Sequence, residues 1–185
     1  MSAAPPATAR RSIHLRRITC EGFLRDDGLI DIEGLLVDTK PEPLQLVTRD
    51  VPPGEPIHQM RVRLTIDRDR RIVDARAFSE HTPYPTCSEV EAGYRRLVGL
   101  RVEPGFTREV KRLFRGVEGC THMTELLPPM ASTLFQVLWA DGAFAREGAG
   151  AAAQRTSPLG GCHALRLDGE IVRTHFPRHR KDPAP

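Results

Sequence analysis

The chain has 185 residues, of which 39% are hydrophobic and 28% charged. These values are ordinary for a globular domain and exclude fibrous, collagen-like and wholly disordered proteins. The formal charge of +3 comes from the basic ends of the chain, because residues 1–17 hold four arginines and no acid while the body is mildly acidic. Since the interior lacks a basic stripe interleaved with aromatic residues, nucleic-acid binding is not favoured.

The sequence also lacks the features of membrane and secreted proteins. No stretch reaches the roughly 18 apolar residues that a bilayer-spanning helix needs. The first 17 residues contain no apolar block of the kind found in signal peptides. We therefore expect a cytoplasmic protein without a membrane partner, whose four cysteines are reduced thiols.

The first elements in chain order are two strands joined by a tight turn. Apolar residues predict one strand within residues 12–25 and a second over 29–37. Asp27-Gly28 lies between them and indicates a hairpin with a type I′ turn. Residues 39–56 contain five prolines and predict a loop.

The third strand has the clearest pattern. From His58 to Ile66 apolar and polar residues alternate, which predicts a half-buried strand with His58 on the buried face. A polar turn over residues 67–70 leads to a fourth strand over 72–78. Because short turns join these strands, we predict that their sheet is antiparallel.

The second half of the chain changes to helical spacing. Thr86 and Glu89 fit a capping box, with Thr86 as N-cap, and predict a helix that ends at Gly99. A second, short helix is predicted over about residues 107–114. Both helices place apolar residues three and four positions apart, as a helix with one buried face requires.

A third helix and a hairpin complete the predicted elements. The helix runs over about residues 121–143, and Pro128-Pro129 must kink or divide it. The hairpin turns at Asp168-Gly169, between two apolar runs.

Strands followed by helices predict an α+β domain: an antiparallel sheet of about four strands, with about three helices packed on one face and a C-terminal β-hairpin. Because the Gly/Ala-rich stretch has no apolar periodicity, we interpret it as a linker. The predicted organisation is a disordered tail (1–11), a single domain (12–141), the linker (142–161), the hairpin packed on the domain (162–176) and a second tail (177–185).

Three places in the sequence combine residues that bind metals. His58 lies on a predicted strand, Cys87 opens a predicted helix, and Cys120 with His122 opens another. A helix N-terminus favours the thiolate form of cysteine, and thiolates with imidazoles form a tetrahedral set that suits zinc or the edge of an iron–sulfur cluster. Alternatively, the two cysteines are small buried hydrophobes or a redox-sensitive disulfide. His58 is then a hydrogen-bonded strand residue, and His122 caps its helix or stays exposed.

Several segments of the chain resemble a bacterial domain-of-unknown-function family, number 2889. The resemblance extends over roughly residues 13–178 and implies no established activity. It rests on residues 27–34, 38–40, 58–67, 83–87, 119–126 and 162–166.

Residues 57–140 are also similar in layout to the iron–sulfur scaffold fold of the IscU and NifU N-terminal proteins. In this resemblance His58 falls on the scaffold's aspartate, Cys87 on its second cysteine and Cys120 on its third. The scaffold's first cysteine has no counterpart here. The resemblance therefore implies a mononuclear site formed by these three residues and His122, rather than a cluster held by three thiolates.

Three hypotheses of function are consistent with these patterns. The first is a metal-binding accessory protein that holds or hands on zinc or an iron–sulfur unit through these four residues. The second is a small enzyme, in which a metal keeps an open position with Glu125 or Asp38 as base, or Cys87 acts as a thiolate nucleophile. The third is a non-catalytic interaction module that forms a homodimer or binds an unidentified protein partner.

Overall fold

Four long strands form the main sheet of the computed structural model, which describes residues 8–140 and 159–181. These strands are β1 (Leu15–Leu24), β2 (Ile30–Thr39), β5 (Pro56–Ile66) and β6 (Ile72–His81). They lie in the order β1-β2-β5-β6, and each neighbouring pair is antiparallel. The predicted four-stranded antiparallel sheet of an α+β fold is therefore confirmed.

The loop after β2 contains a small hairpin that the sequence did not predict. The short strands β3 (Leu44–Gln45) and β4 (Asp50–Val51) pair antiparallel inside this proline-rich segment. Strands of two residues are too short to show the alternation from which a strand is recognised.

The inner face of the sheet carries the core. Every second residue of β2 is buried from Ile30 to Asp38, while the residues between them are half-buried. β5 continues this face with Met60, Val62 and Leu64, which are all buried. The alternation seen in the sequence is thus the alternation between the two faces of the sheet.

The β1–β2 hairpin is present, but its predicted type I′ turn is wrong. That turn needs a positive φ at both central residues. Here Gly28 is the turn residue with a positive φ, at 82°. Its N–H donates to the Arg25 carbonyl at 3.0 Å, and the Arg25 N–H donates to the Leu29 carbonyl at 2.9 Å. The connection is therefore a longer turn that ends in a left-handed glycine, a conformation that glycine adopts at little steric cost.

The first helical segment starts differently from the prediction. Residues Pro85–Leu97 form a 3-10 helix whose N-cap is Tyr84, and no side chain caps its start. The predicted capping box of Thr86 and Glu89 is therefore wrong. Because proline is well suited to the first position of a helix, the start lies at Pro85 and Thr86 falls inside it. The predicted end is confirmed, since Gly99 follows the C-cap with φ = 92°.

Two α-helices come next, α1 (Phe106–Leu113) and α2 (Thr121–Ala140). α1 agrees with the prediction. α2 continues through Pro128 and Pro129, so that of the two predicted effects of the proline pair, a kink or a division, the division is excluded. Apolar contact along α2 outweighs the backbone hydrogen bonds that the prolines remove. The fully buried residues around the proline pair are Leu126, Leu127, Met130 and Leu134.

α2 packs closely over the sheet at two glycines. A Cβ on Gly34 would lie 2.7 Å from the Met130 Sδ, and a Cβ on Gly22 would overlap Val137. Both glycines face the core, because Gly34 belongs to the buried series of β2 and Gly22 pairs with the buried Ile32. The absence of side chains at these positions lets α2 cover the inner face of the sheet.

The described residues divide into two compact units, one over 8–137 and the other over 138–140 and 159–181. The predicted linker falls largely on residues 141–158, which lie outside the described part of the chain. The predicted tails, residues 1–11 and 177–185, are described only in part.

The described end of the second unit is helical, so the predicted C-terminal hairpin is wrong. α3 (Glu170–His175) begins after Gly169, and the Arg173 N–H donates to the Gly169 carbonyl at 3.0 Å. A 3-10 turn over Pro177–His179 comes after it. An acid in the first turn of α3 and basic residues in its last turn suit the helix dipole, and this charge order prevails over the short apolar run that indicated a strand.

Replacing Gly34 by alanine should destabilise the fold. The new Cβ would press on Met130, and overpacking of this kind costs about 1–3 kcal/mol. We expect the urea midpoint of Gly34→Ala to fall relative to the parent protein. Gly93→Ala is the matched control, because a Cβ at Gly93 meets no atom within 4 Å. Equal midpoints for the two variants would contradict the close approach of α2.

Candidate metal centre

The register of three neighbouring strands places Arg16, Asp38 and His58 in one row. Arg16 on β1 pairs with Asp38 on β2, and Asp38 pairs with His58 on β5. Asp38 is the last buried residue of β2, and the regular pairing of β2 with β5 breaks between Asp38 and Thr39. The row therefore lies on the inner face, at the end of the sheet.

Asp38 is the centre of this row. Its side chain is 1% exposed, and Arg16 binds both of its oxygens, through Nε to Oδ1 at 2.8 Å and Nη2 to Oδ2 at 2.7 Å. The ring of His14 lies on the same carboxylate, with Nε2 3.2 Å from Oδ1. Two-point binding of this kind is the strongest common hydrogen-bonded contact of a carboxylate and fixes its orientation.

Two imidazoles converge on the Oδ2 atom of Asp38. The Nδ1 atom of His58 lies 3.2 Å from Oδ2, and the Nε2 atom of His122 lies 3.5 Å from the same oxygen. The two rings are stacked, with centroids 3.8 Å apart and an interplanar angle of 28°. One atom from each of Asp38, His58 and His122 falls within 4.8 Å of the others, a spacing at which the three could hold one metal ion.

The start of α2 positions His122. The Thr124 N–H donates to the Cys120 carbonyl at 2.9 Å, which makes Cys120 the first residue of the helical hydrogen-bond pattern. The Tyr94 hydroxyl donates to the same carbonyl at 2.9 Å and accepts from the Cys120 N–H at 3.1 Å. Burial raises the pKa of Tyr94 to about 12, so this hydroxyl stays protonated and anchors the helix start.

Arg16 connects the carboxylate to α2. Its Nη1 donates to the Glu125 Oε2 at 2.6 Å, while its other nitrogens bind Asp38. Glu125 lies one turn after His122 on the same helix and is partly exposed. One guanidinium thus holds β1, β2 and α2 together at the end of the sheet.

The site favours an ionised carboxylate and neutral imidazoles. Burial alone would raise the pKa of Asp38, but hydrogen bonds and charge from Arg16, with a contribution from His14, bring it below its ordinary value. Burial lowers the pKa of His58, and the neighbouring His122 lowers it further, against the opposing effect of Asp38. Burial and the charge of Arg16 likewise lower the pKa of His122. Near pH 7 both rings therefore offer a free lone pair.

The structure brings two of the four predicted site residues into this group. His58 and His122 belong to it. Cys120 is adjacent, with Sγ 3.8 Å from the Nδ1 of His122, on the side of the ring opposite Asp38. Cys87 is half-buried in the 3-10 helix and, within residues 8–140 and 159–181, does not belong to this three-residue group.

Sequence reasoning did not identify Asp38 as a ligand or Arg16 as its partner. Asp38 was considered only as a base, and its place on a strand suggested no metal. The signal lay in the register, because Asp38 ends the buried alternation of β2 directly opposite His58. An acid at a buried strand position is uncommon and indicates either a paired charge or a site.

Protonation of the metal-free site should lower the stability of the protein. The pKa of each imidazole is lower in the folded chain than its ordinary value of about 6.5. At a pH near or below this ordinary pKa, the unfolded chain therefore binds more protons than the folded chain. The free energy of unfolding then falls as the pH decreases. Asp38 does not contribute to this pH dependence, because its pKa lies below the ordinary carboxyl value and its carboxylate stays ionised in the pH range where the histidines titrate.

Urea unfolding of chelator-treated protein at about pH 7.5 and about pH 5.5 measures this effect. We expect a lower unfolding free energy at the lower pH. The double variant His58→Gln/His122→Gln should show a smaller difference between the two conditions. An equal difference in the variant would mean that these rings are not the groups responsible.

Comparisons with known proteins give a family but no activity. No curated protein and no solved structure matches the chain, so the predicted likeness to the iron–sulfur scaffold fold stays a prediction. No helix among the described residues has the length and apolar character needed to cross a membrane. A family model described as "Protein of unknown function (DUF2889)" matches residues 14–136, which is more than half of the chain. The protein therefore belongs to this family of unknown function.

Proposed function

We propose that this protein binds one divalent transition-metal ion, with zinc as the first candidate, through Asp38, His58 and His122. The observation that carries the proposal is the convergence of two imidazole nitrogens on one buried carboxylate oxygen, at 3.2 and 3.5 Å. Two histidines and one carboxylate are a recurrent ligand set of catalytic zinc sites.

The distances from the Oδ2 atom of Asp38 to the two imidazole nitrogens fit a tetrahedral ion. Zinc–nitrogen bonds of about 2.0–2.1 Å hold neighbouring donors of a tetrahedron roughly 3.3 Å apart. The distances from the Asp38 Oδ2 to the imidazole nitrogens, 3.2 and 3.5 Å, lie on either side of that value.

The surroundings support the ligands. Each oxygen of a carboxylate has two lone pairs, and Arg16 uses one of those on the Oδ2 of Asp38. The other lone pair is left for an ion on the side of the imidazoles. His122 directs its second nitrogen toward Cys120, and such outer contacts orient metal-bound histidines in known sites.

The ligand set favours a catalytic or transfer role over a purely structural one. Three protein ligands leave one position of a tetrahedral ion for water or a substrate, whereas structural zinc sites are closed by four. Glu125 lies next to the site and is held by Arg16. An iron–sulfur cluster is not favoured by this set, because such clusters are held mainly by thiolates.

Metal analysis of protein purified without affinity-tag metals tests the proposal. We expect about one metal ion per chain in the parent protein. His58→Gln, His122→Gln and Asp38→Asn should each lose the ion during dialysis, because a tetrahedral site with two protein ligands binds weakly. His81→Gln is the matched control and should retain it, since His81 is exposed at the end of β6.

The cysteine variants distinguish this ligand set from the one expected from the sequence. Cys87→Ser should leave the metal content unchanged, and Cys120→Ser should change it less than loss of a histidine does. If the ion is lost from the cysteine variants but kept by Asp38→Asn, the proposed ligand set is wrong. A metal-free parent protein would refute the proposal itself.

One observation favours a second candidate function, a thiol-dependent enzyme. Cys120, His122 and Asp38 follow one another in the order thiol, imidazole, carboxylate, with separations of 3.8 and 3.5 Å. This is the order in which an imidazole accepts a proton from a nucleophile while a carboxylate orients the ring. His122 is a metal ligand in the first proposal and the base for Cys120 in the second. A chain with a bound metal would therefore not have an activated thiol at the same time.

Alkylation with iodoacetamide tests this second candidate. We expect Cys120 in metal-free protein to react faster than the exposed Cys162, although Cys120 is half-buried. His122→Gln should remove the difference, because the variant has no base beside the thiol. Slower reaction of Cys120 than of Cys162, measured by mass spectrometry of the labelled peptides, would count against a nucleophilic thiol.

A further inference from the structure

One edge of the main sheet is left open. β1 pairs with β2 on one side only, over all ten of its residues and without a register shift. Among the residues that the structure describes, no backbone hydrogen bond joins β1 to anything except β2. A long, regular strand with a free row of N–H and C=O groups is a template for pairing with another strand.

The opposite edge of the sheet, at β6, is covered near both ends of the strand. The Ser79 N–H on β6 donates to the Glu91 carboxylate at 2.6 Å. The Ile72 N–H donates to the Leu100 carbonyl at 2.9 Å, and the Gly99 N–H donates to the Ile72 carbonyl at 2.8 Å. The fold thus protects β6 in a way that natural sheets commonly use, but it leaves β1 unprotected.

β1 also exposes more apolar surface than an isolated edge strand should. Leu15, Ile18, Phe23 and Leu24 are each between 39% and 53% exposed. Ile18 and Leu24 lie on the inner face, since their partners on β2 are the buried Leu36 and Ile30. The inner face of the sheet is therefore only partly covered at this edge within one chain.

Two charged residues of β1 differ from Arg16, which is paired with Asp38 and Glu125. In the described part of the chain, neither Arg17 nor Glu21 has an ion-pair partner. Glu21 lies directly opposite Glu33 on β2, and like charges in this position are unfavourable. A cation on the open side of β1 would relieve this repulsion.

We propose that a second copy of this chain pairs with the open edge, β1 against β1 in antiparallel orientation. In the register centred on Thr19, the Arg17 of each copy lies opposite the Glu21 of the other. Leu15 then lies opposite Phe23, and Thr19 lies opposite its own counterpart on the two-fold axis. The strand is thus self-complementary in charge and in apolar surface, as an isologous interface requires.

This pairing produces a dimer and does not continue to larger assemblies. Each chain has one fully open edge strand, β1, and this pairing uses both copies of it. A dimer with a continuous eight-stranded sheet therefore leaves only the two β6 edges, which are covered near both ends. The two-fold axis runs perpendicular to the sheet, and both copies of α2 therefore lie on the same side. The exposed Ile18 of each copy comes to lie beside Cys20 of the other.

Sedimentation velocity over a wide range of protein concentration measures the mass of the full chain. We expect twice the chain mass of 20.6 kDa for the parent protein. Arg17→Glu places glutamates opposite each other at two points of the dimer, and Glu21→Arg does the same with arginines. Each should weaken dimerisation by roughly tenfold or more, because two cross-strand pairs change from attraction to repulsion.

The double variant Arg17→Glu/Glu21→Arg restores both opposite-charge pairs and should dimerise like the parent protein. Arg76→Glu on β6 is the matched control for a charge reversal away from the interface, and circular dichroism verifies that each variant is folded. A monomeric parent protein at all concentrations would overturn the proposal. A dimer that Arg17→Glu leaves intact, or that the double variant does not restore, would overturn it too.

Discussion

Asp38 has an ionised carboxylate on a side chain that is 1% exposed, and a protein interior tolerates such a charge only when cations and donors surround it. The end of this sheet is arranged to meet that requirement. Arg16 binds both oxygens from the neighbouring strand, and its remaining nitrogen binds Glu125 on α2. The same constraint that stabilises Asp38 therefore fixes where β1, β2 and the first turn of α2 meet.

This arrangement also explains why two histidines share one oxygen. His58 reaches the Oδ2 of Asp38 because the strand register places it opposite, and His122 reaches it because α2 begins directly above. The start of α2 is itself fixed by Tyr94, whose buried hydroxyl binds both the carbonyl and the N–H of Cys120. The proposed metal binding and the alternative thiol activation would therefore use the same framework of side chains, and His122 is the residue that the two proposals share.

The same fold treats its two sheet edges differently, because the chain takes a different path beyond each edge strand. After β6 the chain turns into the 3-10 helix and returns along the edge, so its own backbone and Glu91 satisfy outer groups at Ile72 and Ser79, near the two ends of β6. No described segment before β1 or after the β1–β2 hairpin returns to the outer side of β1. Its apolar and charged residues are left facing outward in a self-complementary order.

The sequence by itself determined most of the fold, because local periodicity suffices for long elements. The alternation from His58 to Ile66 predicted β5, and helical spacing predicted α1 and α2. Where several weak local signals compete, packing decided the outcome. Burial of apolar residues along α2, for example, prevailed over the proline pair.

The candidate site could be predicted only in part from the sequence. His58 and His122 were recognised because histidine is a metal-binding residue type in any context. Asp38 and Arg16 were not, since an acid and an arginine on strands are ordinary until their register is known. Only the tertiary structure placed Asp38 opposite His58 and beneath His122, because contacts between residues far apart in sequence depend on strand pairing and helix docking, which no local pattern of residues specifies.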